Sequence, residues 1–174
     1  MPATMSAVIV ALPEVERVVG AIRAGVDPAA GWGVPAHVTL LVPFVPPDRI
    51  DDEVLLALTG AVGSVPRFTA VFSRIEWFGD KVVWLAPEPV DRFRVLTSAV
   101  CDRFPGYPPY GGAHPDVVPH LTIGDGDDVR ALREAARVVA PLLPLRAEIA
   151  AAQVICGSRD PGSWATVAEL PLGS

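Results

Sequence analysis

The chain has almost no lysine, few cysteines and no long apolar run, and each of these features argues against some classes of protein. Lys81 is its one lysine, and 20 acidic residues against 14 basic ones give a formal net charge of -6. Proteins that bind along a nucleic acid neutralise many phosphates with a basic surface, so this charge argues against a long nucleic-acid track. No apolar run in the sequence reaches the roughly 20 residues that a membrane span requires.

The cysteines and the first residues of the chain indicate the cellular setting. Cys101 and Cys156 match neither metal-ligand nor redox spacing, which predicts free thiols in the protein interior. The N-terminus lacks the charged start, apolar middle and small-residue cleavage pattern of a signal peptide. We therefore expect a cytoplasmic protein and, from a length of 174 residues, one domain over 1–174.

Hydrophobic spacing and turn residues predict a mixture of strands and helices. Strands are expected at 6–12, 37–44, 68–78, 81–86, 117–124, 145–156 and 164–170, and helices at 14–24, 50–62, 89–104 and 127–139. Asp48 is the expected cap of the second helix, and Asp127 with Asp128 opens the last one. The Gly- and Pro-rich segments 25–35 and 105–115 are expected to be loops.

The same order of elements recurs in the two halves of the chain, roughly 13–86 and 89–170. Segment 34–40 aligns with segment 117–123, and this alignment superimposes a histidine on a histidine and a threonine on a threonine. An internal duplication of this kind predicts two lobes related by a pseudo-twofold axis. Such symmetry would bring the two aligned segments together.

Each aligned segment holds a histidine and a threonine two residues apart in an otherwise apolar strand. Because strand side chains alternate between faces, His37 and Thr39 share one face, and His120 and Thr122 repeat this arrangement. Two imidazoles in one cleft can hold opposite protonation states near neutral pH, so that one accepts a proton while the other donates one. Phosphodiester cleavage requires this division, and threonine hydroxyls can donate hydrogen bonds to the phosphate oxygens. The pattern therefore predicts acid–base catalysis without a metal.

The two histidine-hydrophobic-threonine-hydrophobic motifs, with Pro119 before the second and a closing strand at Trp164, resemble the two-histidine (2H) phosphoesterase superfamily. The likeness is strongest to bacterial 2'-5' RNA ligases and RNA 2',3'-cyclic phosphodiesterases. It implies an α+β fold of two pseudo-symmetric lobes, each an antiparallel sheet with helices on the outside, around a catalytic cleft.

The resemblance also implies roles for the motif residues. His37 and His120 are the expected catalytic pair, with His120 as the base and His37 as the acid, and Thr39 and Thr122 are expected to bind substrate. The expected activity is hydrolysis of a 2',3'-cyclic phosphate on an RNA end or a small nucleotide. We expect a monomer that uses no metal or cofactor.

Other interpretations of these residues stay open. A non-catalytic protein of the same fold would hold a nucleotide or phosphate in the cleft, and a 2'-5' RNA ligase would run similar chemistry in reverse. A zinc site would draw on His37, His114 and His120, whose spacing matches no zinc motif. His114 itself lies in a Gly- and Pro-rich loop, which favours a place on the surface or at the cleft edge.

Further residues are candidates for substrate contacts outside the motifs. Arg74 and Arg159 are candidates to neutralise phosphate. Four aromatic residues border the motif strands, where stacking on a base competes with ordinary packing: Trp32, Phe44, Tyr107 and Tyr110.

Overall fold

A computed structural model describes residues 2–114 and 116–174 and shows the predicted α+β fold. Met1 of the predicted domain and Pro115 of the predicted loop 105–115 lie outside the described residues. The strands are β1 (Met5–Ala11), β2 (His37–Leu41), β3 (Phe68–Phe78), β4 (Val82–Glu88), β5 (Leu121–Asp125), β6 (Leu145–Ile149), β7 (Ala151–Gly157) and β8 (Ala165–Pro171). The α-helices are α1 (Pro13–Val26), α2 (Pro28–Gly31), α3 (Asp52–Gly63), α4 (Val90–Arg103) and α5 (Val129–Val139).

The strands form two four-stranded antiparallel sheets that do not coincide with the two halves of the chain. The first sheet has the order β2-β1-β7-β8, and the second has the order β5-β4-β3-β6. Hairpin β7–β8, from the second half, thus extends the sheet of β2, and hairpin β3–β4, from the first half, lies beside β5. The motif strands β2 and β5 lie in different sheets and contact each other. The duplication of the sequence stays a prediction.

The prediction of a single strand over 145–156 is wrong. β6 pairs with β3 in the second sheet, whereas β7 pairs with β1 in the first, so the chain passes between the sheets at Ala150. The buried positions change phase across this point, from Ala147 and Ile149 to Ala152 and Val154, but the alanines between them hide the change in the sequence. Periodicity alone therefore does not reveal a change of sheet.

Aspartate side chains cap the N-termini of α3 and α5. The Asp51 carboxylate accepts a hydrogen bond from the Val54 N–H at 2.9 Å and caps α3, so the prediction of Asp48 as the cap is wrong. Asp128 caps α5 in the same way, as the acids at that position predicted. The capped helices α3 and α5 both pack against strands, α3 on β8 and α5 on β4 and β5.

One buried apolar cluster runs through both sheets and includes residues of both motif strands. Leu40 of β2 and Leu121 of β5 belong to this cluster and are 1% and 0% exposed. Burial of large side chains of this kind contributes about 1.5–3 kcal/mol each. The core therefore holds the apolar faces of the two motif strands in place from behind.

Helix α1 follows β1 in the chain but packs against β5 and β6 of the second sheet, and also against α5. The approach is close because Gly124 of β5 has no side chain. A Cβ at that position would lie 2.6 Å from Leu132 of α5 and 2.9 Å from Val26 of α1. The glycine thus lets α1 lie directly against the strand of the second motif.

Candidate active site

The two motifs show the predicted alternation of exposure. Val38 and Leu121, the residues between histidine and threonine, are both fully buried. The flanking residues are partly exposed in both motifs: His37, Thr39, His120 and Thr122. The strand of the second motif, β5, begins later than the expected 117–124, at Leu121, so His120 lies immediately before it.

The same backbone contact orients both imidazoles. Nδ1 of His37 lies 2.7 Å from the carbonyl oxygen of Pro35, and Nδ1 of His120 lies 2.8 Å from that of Val118. Because a carbonyl oxygen only accepts, the proton of each neutral ring belongs on Nδ1 and the lone pair on Nε2. Nε2 of either ring can therefore accept a proton as a base or, when the ring is charged, donate one as an acid.

Burial lowers the pKa of both histidines. The pKa of His37 falls to about 4, mainly because burial disfavours the charged ring, and the positive charges of Arg23 and His120 act in the same direction. Burial also lowers the pKa of His120. Burial therefore favours the neutral form of both imidazoles, which lie near enough that the charge of one affects the other.

Two aromatic rings surround His120, and neither was identified from the sequence. The ring centroids of Phe78 and Trp84 lie 5.0 Å and 5.8 Å from that of His120, both edge-on, and the two aromatic rings stack at 4.6 Å. Both residues stood within predicted strands. The pairing of β4 with β5 brings Trp84 to the histidine, and the pairing of β3 with β4 adds Phe78; hydrophobic periodicity does not specify such pairing.

A cavity of about 490 Å³ opens beside the second motif. His120 and Thr122 line it, whereas His37 and Thr39 lie on β2, across the contact between the sheets. Among the described residues that line the cavity, two are aspartates and none is Lys or Arg. Its other lining residues include Phe78, Tyr110, His114, Asp116 and Asp125.

Of the candidate aromatic residues outside the motifs, one lies in the core, one lines the cavity and one contacts the closing hairpin. Phe44 is buried and packs against Phe104 at 5.0 Å and Tyr107 at 6.3 Å between ring centroids, so it is a core residue. Tyr110 lines the cavity and meets the exposed His114 edge-on at 5.5 Å. Trp32 is partly buried, and its backbone carbonyl accepts a hydrogen bond from the backbone of the closing β7–β8 hairpin.

The two candidate arginines lie outside this cavity. Arg74 is exposed and contacts Glu76 at 3.3 Å and Glu88 at 3.6 Å. Arg159 is exposed in the turn between β7 and β8. A different arginine, Arg23, is fully buried beside the motifs, and its position on the apolar face of α1 was a signal available from helical spacing.

The structure shows no disulfide between the two cysteines and, in its described residues, no metal-ligand cluster and no membrane-spanning helix. Cys101 and Cys156 are free, and burial raises the pKa of both thiols. Across residues 2–114 and 116–174, no group of three or more His, Cys, Asp or Glu side chains is placed to hold a metal ion. Within the same ranges, no helix combines the length and hydropathy needed to cross a bilayer.

Residues 11–161 match the family model of the 2'-5' RNA ligase superfamily. Because the match spans most of the chain, the protein belongs to this superfamily, which confirms the predicted resemblance to the 2H phosphoesterases. A search of curated proteins gave no match.

Several solved structures share the fold over almost their whole length. Escherichia coli LigT complexed with 3'-AMP has 18% sequence identity and a TM-score of 0.62, with 99% of this chain and 100% of that chain covered. A Thermus thermophilus protein gives 18% identity and a TM-score of 0.63, with 98% and 99% covered. A structure described as a phosphoesterase gives 18% identity and 0.56, with 99% and 100% covered.

Proposed function

We propose that the protein is a metal-independent phosphodiesterase that hydrolyses 2',3'-cyclic phosphates with His37 and His120 as its acid–base pair. One observation supports this most strongly. Both rings donate Nδ1–H to the carbonyl two residues earlier and so present Nε2 for proton transfer. Membership of the 2'-5' RNA ligase superfamily supports phosphoester chemistry at these motifs.

The proposed reaction uses one proton transfer at each imidazole. Nε2 of His120 removes a proton from water as the water oxygen attacks phosphorus, and the bond from phosphorus to one ribose oxygen breaks. Charged His37 donates its Nε2 proton to that ribose oxygen. The hydroxyls of Thr39 and Thr122 donate hydrogen bonds to the non-bridging oxygens as charge develops on them. The product is a phosphomonoester with a free neighbouring hydroxyl.

Substrate binding favours the protonated form of His37 that this scheme requires, and the proton comes from solvent. Burial lowers the pKa of His37 to about 4, so the ring is neutral at pH 7 unless a neighbouring anion favours its charged form. The negative charge of a bound phosphodiester favours the charged ring and raises the pKa of His37. His37 therefore becomes protonated when the substrate binds.

The cavity favours a small substrate with a single phosphate. Its volume of about 490 Å³ suits a mononucleotide. Asp116 and Asp125 line it, and no Lys or Arg does so within the described part of the chain, which disfavours further phosphates. The structure of LigT with 3'-AMP shows that a relative of the same fold accepts a mononucleotide. We propose a nucleoside 2',3'-cyclic monophosphate, cleaved in the cytoplasm by a monomer.

A panel of the four nucleoside 2',3'-cyclic monophosphates, assayed with and without EDTA, tests the proposal. We expect turnover that survives the chelator and is nearly abolished in His37→Ala and in His120→Ala. Phosphorus NMR of the product identifies which ribose–oxygen bond opens. Inactivation by EDTA would contradict the metal-independent mechanism.

The same assay separates the two alternatives. Binding of a cyclic nucleotide without product at any pH would favour a non-catalytic protein. Joining of an RNA 2',3'-cyclic phosphate end to a 5'-hydroxyl end, with no hydrolysis, would favour a 2'-5' RNA ligase.

A further inference from the structure

Arg23 is a fully buried arginine whose function the proposed reaction does not explain. It lies on the inner face of α1 and is 0% exposed. Arginine is almost never fully buried unless it is paired, because removing its charge from water is costly. A hydrophobic side chain of similar volume would serve packing as well or better, so burial of this guanidinium suggests a more specific role.

Two acidic residues of the same helical segment neutralise the buried charge. Nη2 of Arg23 donates to Oδ2 of Asp27 at 2.9 Å, and Nη1 donates to Oε2 of Glu16 at 3.2 Å. Asp27 is itself buried, whereas Glu16 is half-buried. These pairs leave further donors of the planar guanidinium available for other acceptors.

Those donors reach the backbone of both motifs. Nε of Arg23 donates to the carbonyl of Thr122 at 3.2 Å, and Nη1 donates to the carbonyl of Val34 at 3.2 Å. Glu16 adds a contact, since its Oε2 accepts the N–H of Ala36 at 2.6 Å. Helix α1 is thus hydrogen-bonded to the second motif within its threonine and to the first motif immediately before its histidine.

We propose that Arg23 is a positioning residue that sets the separation of the two motif segments, and with it the ability of one phosphate to contact both imidazoles. The inference rests on the proposed function, because the separation matters only if both rings act on one phosphate. Arginine suits this role because its guanidinium is rigid and planar, with donors directed to several acceptors at once. Lysine would keep the charge and lose that geometry.

Arg23 also affects the charge of the first motif. Its positive charge opposes protonation of His37, as does the charge of His120 from the other sheet. A variant that keeps the charge but not the geometry therefore separates the two effects. Arg23→Lys is such a variant, and Arg17→Lys, at an exposed position of the same helix, is its matched control.

The experiment compares wild type, Arg23→Lys and Arg17→Lys by thermal melting and by kcat and KM on 2',3'-cyclic AMP. A misplacement of about 1 Å costs about 10²-fold in rate, so we expect a kcat loss approaching that size in Arg23→Lys. KM should change much less, and Arg17→Lys should match the wild type. A folded Arg23→Lys protein with wild-type kcat would overturn the proposal, as would a loss explained entirely by its unfolded fraction.

A second variant keeps the test decisive if Arg23→Lys fails to fold. A Cβ at Gly20 would lie 2.6 Å from Oε1 of Glu16, so Gly20→Ala must displace this carboxylate. Alanine has a higher helix propensity than glycine, so the helix itself gains stability. We expect a lower kcat without a lower melting temperature. Wild-type kcat in Gly20→Ala would overturn the part of the proposal in which Glu16 links Arg23 to the first motif at Ala36.

A readout without turnover distinguishes this inference from the proposed function. Inorganic phosphate is titrated while the imidazole resonances of His37 and His120 are followed by NMR. In the wild type we expect both rings to respond with one Kd, and in Arg23→Lys or Gly20→Ala a weaker, uncoupled response. If the wild type hydrolyses no cyclic nucleotide but shows the coupled response, the proposed function fails and the positioning role stands. Independent responses in the wild type would overturn the positioning role.

Discussion

The two motifs share their local geometry and differ in their surroundings. In both, the histidine Nδ1 contacts the carbonyl two residues earlier, at 2.7 Å for His37 and 2.8 Å for His120. His37 is affected by the buried charge of Arg23, whereas His120 lies beside a stacked pair of aromatic rings and lines the cavity. Equal motifs in unequal environments can titrate differently, which is what an acid–base pair requires.

The largest effects are expected from the histidines themselves. His37→Asn and His120→Asn should each lower kcat about 10²- to 10⁴-fold, since each removes one proton transfer. The wild-type rate should have a bell-shaped pH profile, and each variant should lack the limb that its histidine produces. The missing limb then identifies the base and the acid.

His114 provides a comparison for these variants because it lines the cavity outside both motifs. His114→Asn should change KM rather than kcat. A motif variant that retained wild-type kcat would show that its histidine transfers no proton in the rate-limiting step.

The threonines should contribute next, and about equally if the two motifs bind one phosphate. Thr39→Val and Thr122→Val each remove one hydroxyl donor, with an expected loss of about 10²-fold in kcat. Thr166→Val, at an exposed position of β8, is the matched control and should leave kcat unchanged. Steady-state kinetics at saturating 2',3'-cyclic AMP measures all three. A large loss for one motif threonine only would show that the phosphate lies against a single motif.

The free energy of unfolding should decrease below neutral pH because of His37. The pKa of His37 is about 4 in the folded protein and near 6.5 when unfolded, so the unfolded state binds more protons as the pH falls. The stability due to neutral His37 is present at pH 7 and is lost as the pH falls from about 6.5 toward 4, by about 2 kcal/mol between pH 7 and pH 5. Urea unfolding of wild type and His37→Asn measures this. An equal pH dependence in both would refute the assigned pKa.

The smallest effect is expected at the aromatic rings around His120. Phe78→Ala should let water reach the imidazole, which weakens the effect of burial and raises the pKa of His120 toward its ordinary value. The pKa of His37, in the other sheet, should move much less, and downward, because a more readily charged His120 opposes its protonation. NMR titration of both imidazoles provides the measurement, and a shift at His37 instead would show that the rings are coupled more strongly than this comparison assumes.

Much of the local structure follows from the residues alone. Alternation in His37 to Leu40 predicts a polar face and a buried face, and Asp128 predicts a helix start, because both depend on neighbours within a few positions. The histidine–threonine spacing identifies the candidate site for the same reason. The sequence predicts the cap of α3 three residues too early, at Asp48 instead of Asp51, since more than one acid precedes that helix.

Which strands adjoin was decided only by the tertiary structure. The exchange of hairpins between sheets, the passage from β6 to β7 at Ala150, and the rings of Phe78 and Trp84 beside His120 all depend on contacts between distant segments. Arg23 shows the same division: helical spacing places it on the inner face of α1, but only packing against β5 supplies its acceptor at Thr122. The sequence thus determined which faces and motifs exist, because those depend on the period of each element. The fold decided which of them meet, because pairing between remote strands is selected by the whole core.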